Sequence, residues 1–201
     1  MKSAKMVSVL FLLLAVALSL PAVAGTVNMQ FNGTPTGNNY SGVPSYPYDL
    51  SVNGAPNQWM MCMGYYEHIS GGETWQATAV SVGSLDPTSH LPNYEAAFLF
   101  EKAVADHGAN SDVNAAVWWI FEGAPSLDPG AQALVTLAQS QTYTQGEFSN
   151  VMLYTAIPGT ESGNLGTAQD FMSSTPEPGT LALLGSGMIG AAGFLRRKLL
   201  P

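Results

Sequence analysis

The chain has 201 residues, and only 10% of them are charged. Lys102 is the one basic residue between Gly25 and Ser174, a stretch that holds thirteen acidic residues. That balance excludes most nucleic-acid binders, which neutralise phosphates with Lys and Arg, and a single cysteine excludes an intrachain disulfide framework.

In chain order, residues 1–24 read as a secretory signal. Lys2 and Lys5 form a basic start, Met6 to Leu20 is nearly all apolar, and Ala22-Val23-Ala24 is a small-residue cleavage site for signal peptidase. Residues 25–172 then form one extracytoplasmic domain, long enough for a hydrophobic core. Val27, Met29 and Phe31 alternate with Asn28 and Gln30, which predicts a strand. Asn32 to Pro47 is a Gly-, Pro- and Asn-rich loop, and Leu50 to Asn53 a short strand. Gln58 to His68 is a strand with Trp59, Met61, Met63 and Tyr65 on one parity and Met60, Cys62, Gly64 and Tyr66 on the other. Gly71-Gly72 is a turn and Thr74 to Val82 a strand, so the pair reads as a hairpin.

Helical texture follows. Asn93 to Asp106 has high helix propensity. Asn110 or Ser111 caps a second helix, Asp112 to Phe121, and Asp128-Pro129 starts a third that ends near Gln139. Glu147 to Ile157 is strand again, Gly159 to Thr167 a loop, and Gln169 to Met172 a last strand. Strands, three helices, then strands argue for an α+β fold: a small antiparallel β domain with an inserted group of about three helices.

Residues 173–201 form a tail in three parts: Pro176-Glu177-Pro178, an uncharged apolar stretch from Gly179 to Leu195, and the basic cluster Arg196, Arg197 and Lys198. The apolar stretch sits at the short end of a transmembrane helix, and the basic cluster belongs on the cytoplasmic side. The order resembles the PEP-CTERM sorting signal of Gram-negative bacteria. The resemblance implies an exosortase-like membrane protease as partner, which processes the tail. It also implies a transient stay in the inner membrane before the cell surface or the extracellular space.

Cys62 is the residue with most chemical potential. A lone cysteine in an exported chain is buried and inert, free for intermolecular pairing, or reactive. Met61-Cys62-Met63, Ala96-Ala97-Phe98-Leu99 and Asn114-Ala115-Ala116-Val117-Trp118 follow one another in an order that resembles bacterial surface thioester domains. In those a strand cysteine attacks the amide of a glutamine on a later helix. The resemblance implies that the strand bearing Cys62 packs on the helix bearing Asn114 and Trp118. Asn114 stands where the glutamine would be, and Gly64 where an acidic residue would follow the cysteine. The expectation is therefore a free thiol. An active thioester would join Cys62 to Asn114, or to another donor such as Gln58 or Gln76.

Other constellations are weaker. Lys102 and Asn114, with Glu95, Glu101 or Glu122, have the residue types of an isopeptide bond, against the simpler reading of a solvated lysine beside Glu101 or Asp106. His68, His90 and His107 lack metal spacing, and Asp106 to Asp112 reads as a helix-capping loop rather than a calcium loop. Trp118-Trp119 should turn one ring to the core and leave the other near its edge. No catalytic residue, metal or cofactor is assigned, and no P-loop or nucleophile elbow is present. The reading is an exported, exosortase-sorted surface or extracellular-matrix protein that is not an enzyme. The alternatives are a covalent adhesin using a cysteine thioester and, third, a carbohydrate-binding or carbohydrate-active protein with an exopolysaccharide as partner.

Overall fold

The computed structural model describes residues 25–108, 110–163 and 168–175. The signal segment and the tail from Pro176 onward, with the apolar helix expected there, lie outside the described residues. Among the described residues no helix is long and apolar enough to cross a membrane.

Among the described residues of the domain there are eight strands, three α-helices and one short 3-10 helix, Val82–Ser84. β1 (Gly25–Gly33) is followed by a two-stranded ribbon, β2 (Asn39–Tyr40) and β3 (Val43–Pro44), inside the segment read as loop. β4 (Tyr48–Val52), β5 (Ala55–Cys62) and β6 (Thr74–Ser81) come next. Then come α1 (Leu91–Ala105), α2 (Asp112–Glu122) and α3 (Pro129–Gln139), before β7 (Val151–Ala156) and β8 (Phe171–Ser174). Six strands close an antiparallel barrel in the order β1-β4-β5-β8-β7-β6, with the helices inserted between β6 and β7. The α+β class with three inserted helices holds.

The expected hairpin of the Cys62 strand with the Thr74 strand does not form. β5 pairs with β4 and β8, and β6 pairs with β1 and β7. The hairpin signal lies earlier, at Asn53-Gly54, where both residues have positive φ (50° and 79°). Two such residues are what a tight two-residue turn between twisted strands requires. Gly71-Gly72 turns the chain onto β1 instead: the Gly72 amide donates to the Phe31 carbonyl.

β5 also stops at Cys62 rather than continuing to His68. The Tyr65 and Tyr66 amides donate to Glu122 Oε2 at 2.8 and 3.3 Å, so a helix side chain replaces the strand ladder there. The helix ends follow local chemistry. Asp128 Oδ1 accepts from the Ala131 amide at 2.9 Å to cap α3, and Asn110 Oδ1 accepts from the Asp112 amide at 2.9 Å. Gly123, at φ 67°, closes α2 in the left-handed conformation.

The core has two compartments. Met29, Leu50, Met60, Cys62, Trp75 and Phe171 fill the barrel, and Ala115 and Trp118 of α2 join them. Met61, Leu153 and Met172, on the opposite parity, pack outward against α1 and α2 residues such as Phe100 and Val117.

Candidate functional site

Register builds the site. Cys62 closes β5 opposite Phe171 of β8, and the Met63 amide extends the ladder by donating to the Asp170 carbonyl at 2.9 Å. One step further the ladder would set Gly64 against Gln169, making Gln169 the diagonal neighbour of Cys62 on the barrel-interior face. Diagonal antiparallel neighbours lie about 7–8 Å apart at Cα, within reach of a long side chain. Gly64 carries no side chain to intervene.

The two groups meet. Cys62 Sγ lies 3.0 Å from Gln169 Oε1 and 3.0 Å from the Gly64 carbonyl oxygen, and its single proton can go to either. Gln169 Nε2 donates to the Glu67 carbonyl, which sets the oxygen end of the amide toward the sulfur. Cys62 is a free cysteine with no solvent exposure, and Gln169 is also buried. Burial pushes the Cys62 thiol up to about 12. The Trp118 indole and the Gly64 backbone act in the opposite sense, favouring the anion, while Glu67 and Glu122 disfavour it.

Asn114 plays a different part from the one open to it in the sequence. Its Nδ2 donates to the Cys62 carbonyl at 2.9 Å and its Oδ1 accepts from the Tyr46 amide at 2.8 Å. The side chain is fully buried and both ends of its amide are committed to backbone. It fastens α2 to the end of β5 and to the loop before β4, and Gln169 takes the place beside the sulfur. Gln58 lies four residues back along β5, and Gln76 is exposed on the outer face of β6. The expected packing of the Cys62 strand on the Asn114 helix is present.

A cavity of about 360 Å³ reaches the residues that flank the pair, Met63, Gly64, Ala168 and Asp170, and is lined also by Glu67 and Glu122. A Cβ on Gly64 would overlap the Glu67 carboxylate and stand 3.3 Å from Glu122 Oε1. Burial, then repulsion from Glu122 and Asp170, raises the Glu67 carboxyl above its usual range. Burial also raises Asp170, against the opposing hydrogen bond from the Ala156 amide.

The remaining candidates stay apart. Lys102 Nζ sits 5.8 Å from the centre of the Phe98 ring, and Glu101 accepts from Asn150 Nδ2 at 3.2 Å. Among the described residues no group of three or more His, Cys, Asp or Glu side chains is arranged to hold a metal ion. Trp118 is fully buried and Trp119 is 38% exposed. Gln169 and the loop anchor Glu122 are the residues whose site roles the sequence reading missed. The available signal was a glutamine two residues before Phe171, on the same parity of a predicted strand.

Comparison with known proteins bears on the tail. Residues 174–198 match the PEP-CTERM protein-sorting motif. This segment contains Pro176, Glu177, Pro178 and the basic cluster Arg196, Arg197 and Lys198. The match supports an exported protein that an exosortase processes on its way to the cell surface. No curated protein and no solved structure matches the chain.

Proposed function

We propose that this chain is a non-enzymatic surface or extracellular-matrix protein that attaches covalently to a partner through an internal thioester between Cys62 and Gln169. The observation that carries this reading is the 3.0 Å approach of Cys62 Sγ to Gln169 Oε1 in a buried setting. In bond formation Sγ attacks Gln169 Cδ, the Cδ–Nε2 bond breaks, and the thiol proton leaves with the nitrogen as ammonia. In use, a primary amine attacks Cδ, the C–S bond breaks, and an amine proton returns to sulfur. The products are a stable amide and a free thiol.

Three acidic side chains line the cavity, Glu67, Glu122 and Asp170. Their charge favours a protonated amine at the mouth, and the raised carboxyls of Glu67 and Asp170 offer proton acceptors. Each molecule reacts once, which suits attachment rather than turnover. The free-thiol expectation rested on Asn114 standing where the donor glutamine would be; the reading proposed here takes Gln169 as donor instead.

Intact-mass measurement of the exported protein tests the proposal. A species lighter than its sequence by one ammonia, which gains one methylamine on treatment, is expected. Full mass with a freely titrating thiol overturns it.

A groove of about 490 Å³ on the outer wall of β1 and β6 supports a second partner, a neutral polysaccharide. Its amide and hydroxyl groups, from Asn28, Gln30, Thr74 and Gln76 among others, suit sugar hydroxyls. Retention of the protein on its own exopolysaccharide, lost in Gln30→Ala, is the expected result; retention unchanged by that substitution removes the groove from consideration.

A further inference from the structure

We propose that Trp118 is a catalytic residue for the Cys62–Gln169 chemistry: its indole N–H is the hydrogen-bond donor that receives the sulfur as an anion, when the thioester opens and when it forms. The inference rests on the thioester reading and assigns a donor that the reading itself leaves open.

Trp118 has no solvent exposure, and its Nε1 has no hydrogen-bond partner. Buried indole N–H groups usually find an acceptor, and an orphan is costly. Its surroundings explain which acceptor is missing. Trp118 stands one helical turn beyond Asn114, on the same face of α2, and Asn114 holds the Cys62 carbonyl at 2.9 Å. Trp118 and Cys62 share the barrel compartment, and the indole N–H favours the sulfur anion.

A neutral thiol is a weak acceptor, and here its proton is directed away, to the Gly64 carbonyl or Gln169 Oε1. The N–H is therefore unmet in the resting thiol. A thiolate is a full anion, and charge-assisted hydrogen bonds are about twice as strong as neutral ones.

Apart from the Gly64 backbone, the rest of the site opposes that anion. Burial, Glu67 and Glu122 all disfavour it. The Tyr48 hydroxyl, the other side-chain donor near the sulfur, donates to the Pro44 carbonyl. Gln169 turns its oxygen, not its nitrogen, toward the sulfur. The Trp118 N–H is thus an uncommitted donor in the same compartment as the one charge that the reaction develops, as transition-state stabilisation requires.

The test uses Trp118→Phe in the exported protein, with Trp75→Phe as control. Trp75 Nε1 is also a buried orphan, on a ring stacked 6.0 Å from Phe171. Methylamine opening should slow by about a hundredfold in Trp118→Phe, the low end of the range for removing one donor to a developing anion. In the methylamine-opened proteins, thiolate absorbance should also appear at higher pH in Trp118→Phe than in wild type, and Trp75→Phe should change neither. Opening at the wild-type rate in folded Trp118→Phe overturns the proposal.

If Trp118→Phe does not fold, the wild-type indole resonances decide. There are four tryptophans, Trp59, Trp75, Trp118 and Trp119, and single Phe substitutions at the other three assign Trp118 by elimination. In the methylamine-opened protein its N–H should shift downfield as Cys62 ionises, and an unmoved resonance overturns the proposal. A protein of full mass would defeat the thioester reading while leaving both titrations of the thiol to judge Trp118 independently.

Discussion

The barrel wall differs from one side to the other. Along β1 and β6 it has one wet face: Asn28, Gln30, Thr74 and Gln76 are exposed while Met29 and Trp75 between them are buried. Where the end of β5 meets β8 both faces are dry, and Met60, Met61, Cys62, Phe171, Met172 and Ser173 are all buried. Helices cover the outer face there, and α2 closes on the interior through Ala115 and Trp118. The reactive pair lies on the doubly covered side. Burial shields a labile acyl bond there, and a buried polar group without a partner is costly.

The comparison predicts how the two sides respond to change. The largest effect is all-or-none. Cys62→Ala and Gln169→Ala should each abolish methylamine incorporation, whereas Gln76→Ala on the wet wall should leave it intact, as mass spectrometry of the treated variants will read. Incorporation that survives Gln169→Ala would move the acyl donor elsewhere.

Next comes Asn114→Ala, which leaves the Cys62 carbonyl and the Tyr46 amide without their partners. Each buried orphan costs about 1–3 kcal/mol, so denaturant unfolding should show a loss of several kcal/mol. Thr78→Ala, on the exposed face of β6, should stay within about 0.5 kcal/mol.

A smaller and more local effect is expected for Glu122→Ala. The Tyr65 and Tyr66 amides lose their acceptor, so their hydrogen exchange should accelerate while the β1–β6 amides keep their protection. Unchanged exchange at both tyrosines would mean that Glu122 does not hold the loop.

The smallest effect is on pH dependence. Glu67 and Asp170, with Glu95 on α1, have carboxyls raised in the folded state, each chiefly by burial. The folded chain then binds more protons than the unfolded one above about pH 4, the usual carboxylate value. Stability from these groups should therefore increase as pH falls from 7 toward 5, and decline as it rises again. Asp86 and Glu161 are shifted the other way, mainly by backbone hydrogen bonds. Their contribution is lost only on further acidification. A melting temperature that falls between pH 7 and 5 would contradict this assignment.

The wet side was also the legible side. Val27, Met29 and Phe31 alternate because one face meets water, and β1 is where that alternation placed it. Asp128-Pro129 marked the start of α3 because cap and first-turn chemistry are local. The dry side hid its register. Four consecutive buried residues from Met60 to Met63 show no alternation to orient them. The partner strand β8 arrives only after all three helices, and Cys62 and Gln169 are 107 residues apart. Nothing local links Gln169 to Cys62 until Phe171 is paired. Asn53-Gly54 was readable as a hairpin turn and would have turned β5 toward β4. Asn114 was correctly located beside Cys62 through its helix, but its role depended on which backbone groups the fold left unpaired.

The central claim is that Gln169 is the acyl partner of Cys62. Peptide mapping of the exported protein after methylamine treatment tests it most directly. The account predicts one methylamide, on Gln169, together with a newly alkylatable Cys62. A methylamide on Asn114, Gln58 or Gln76, or a Cys62 that is alkylated equally before and after treatment with no methylamide anywhere, would contradict it.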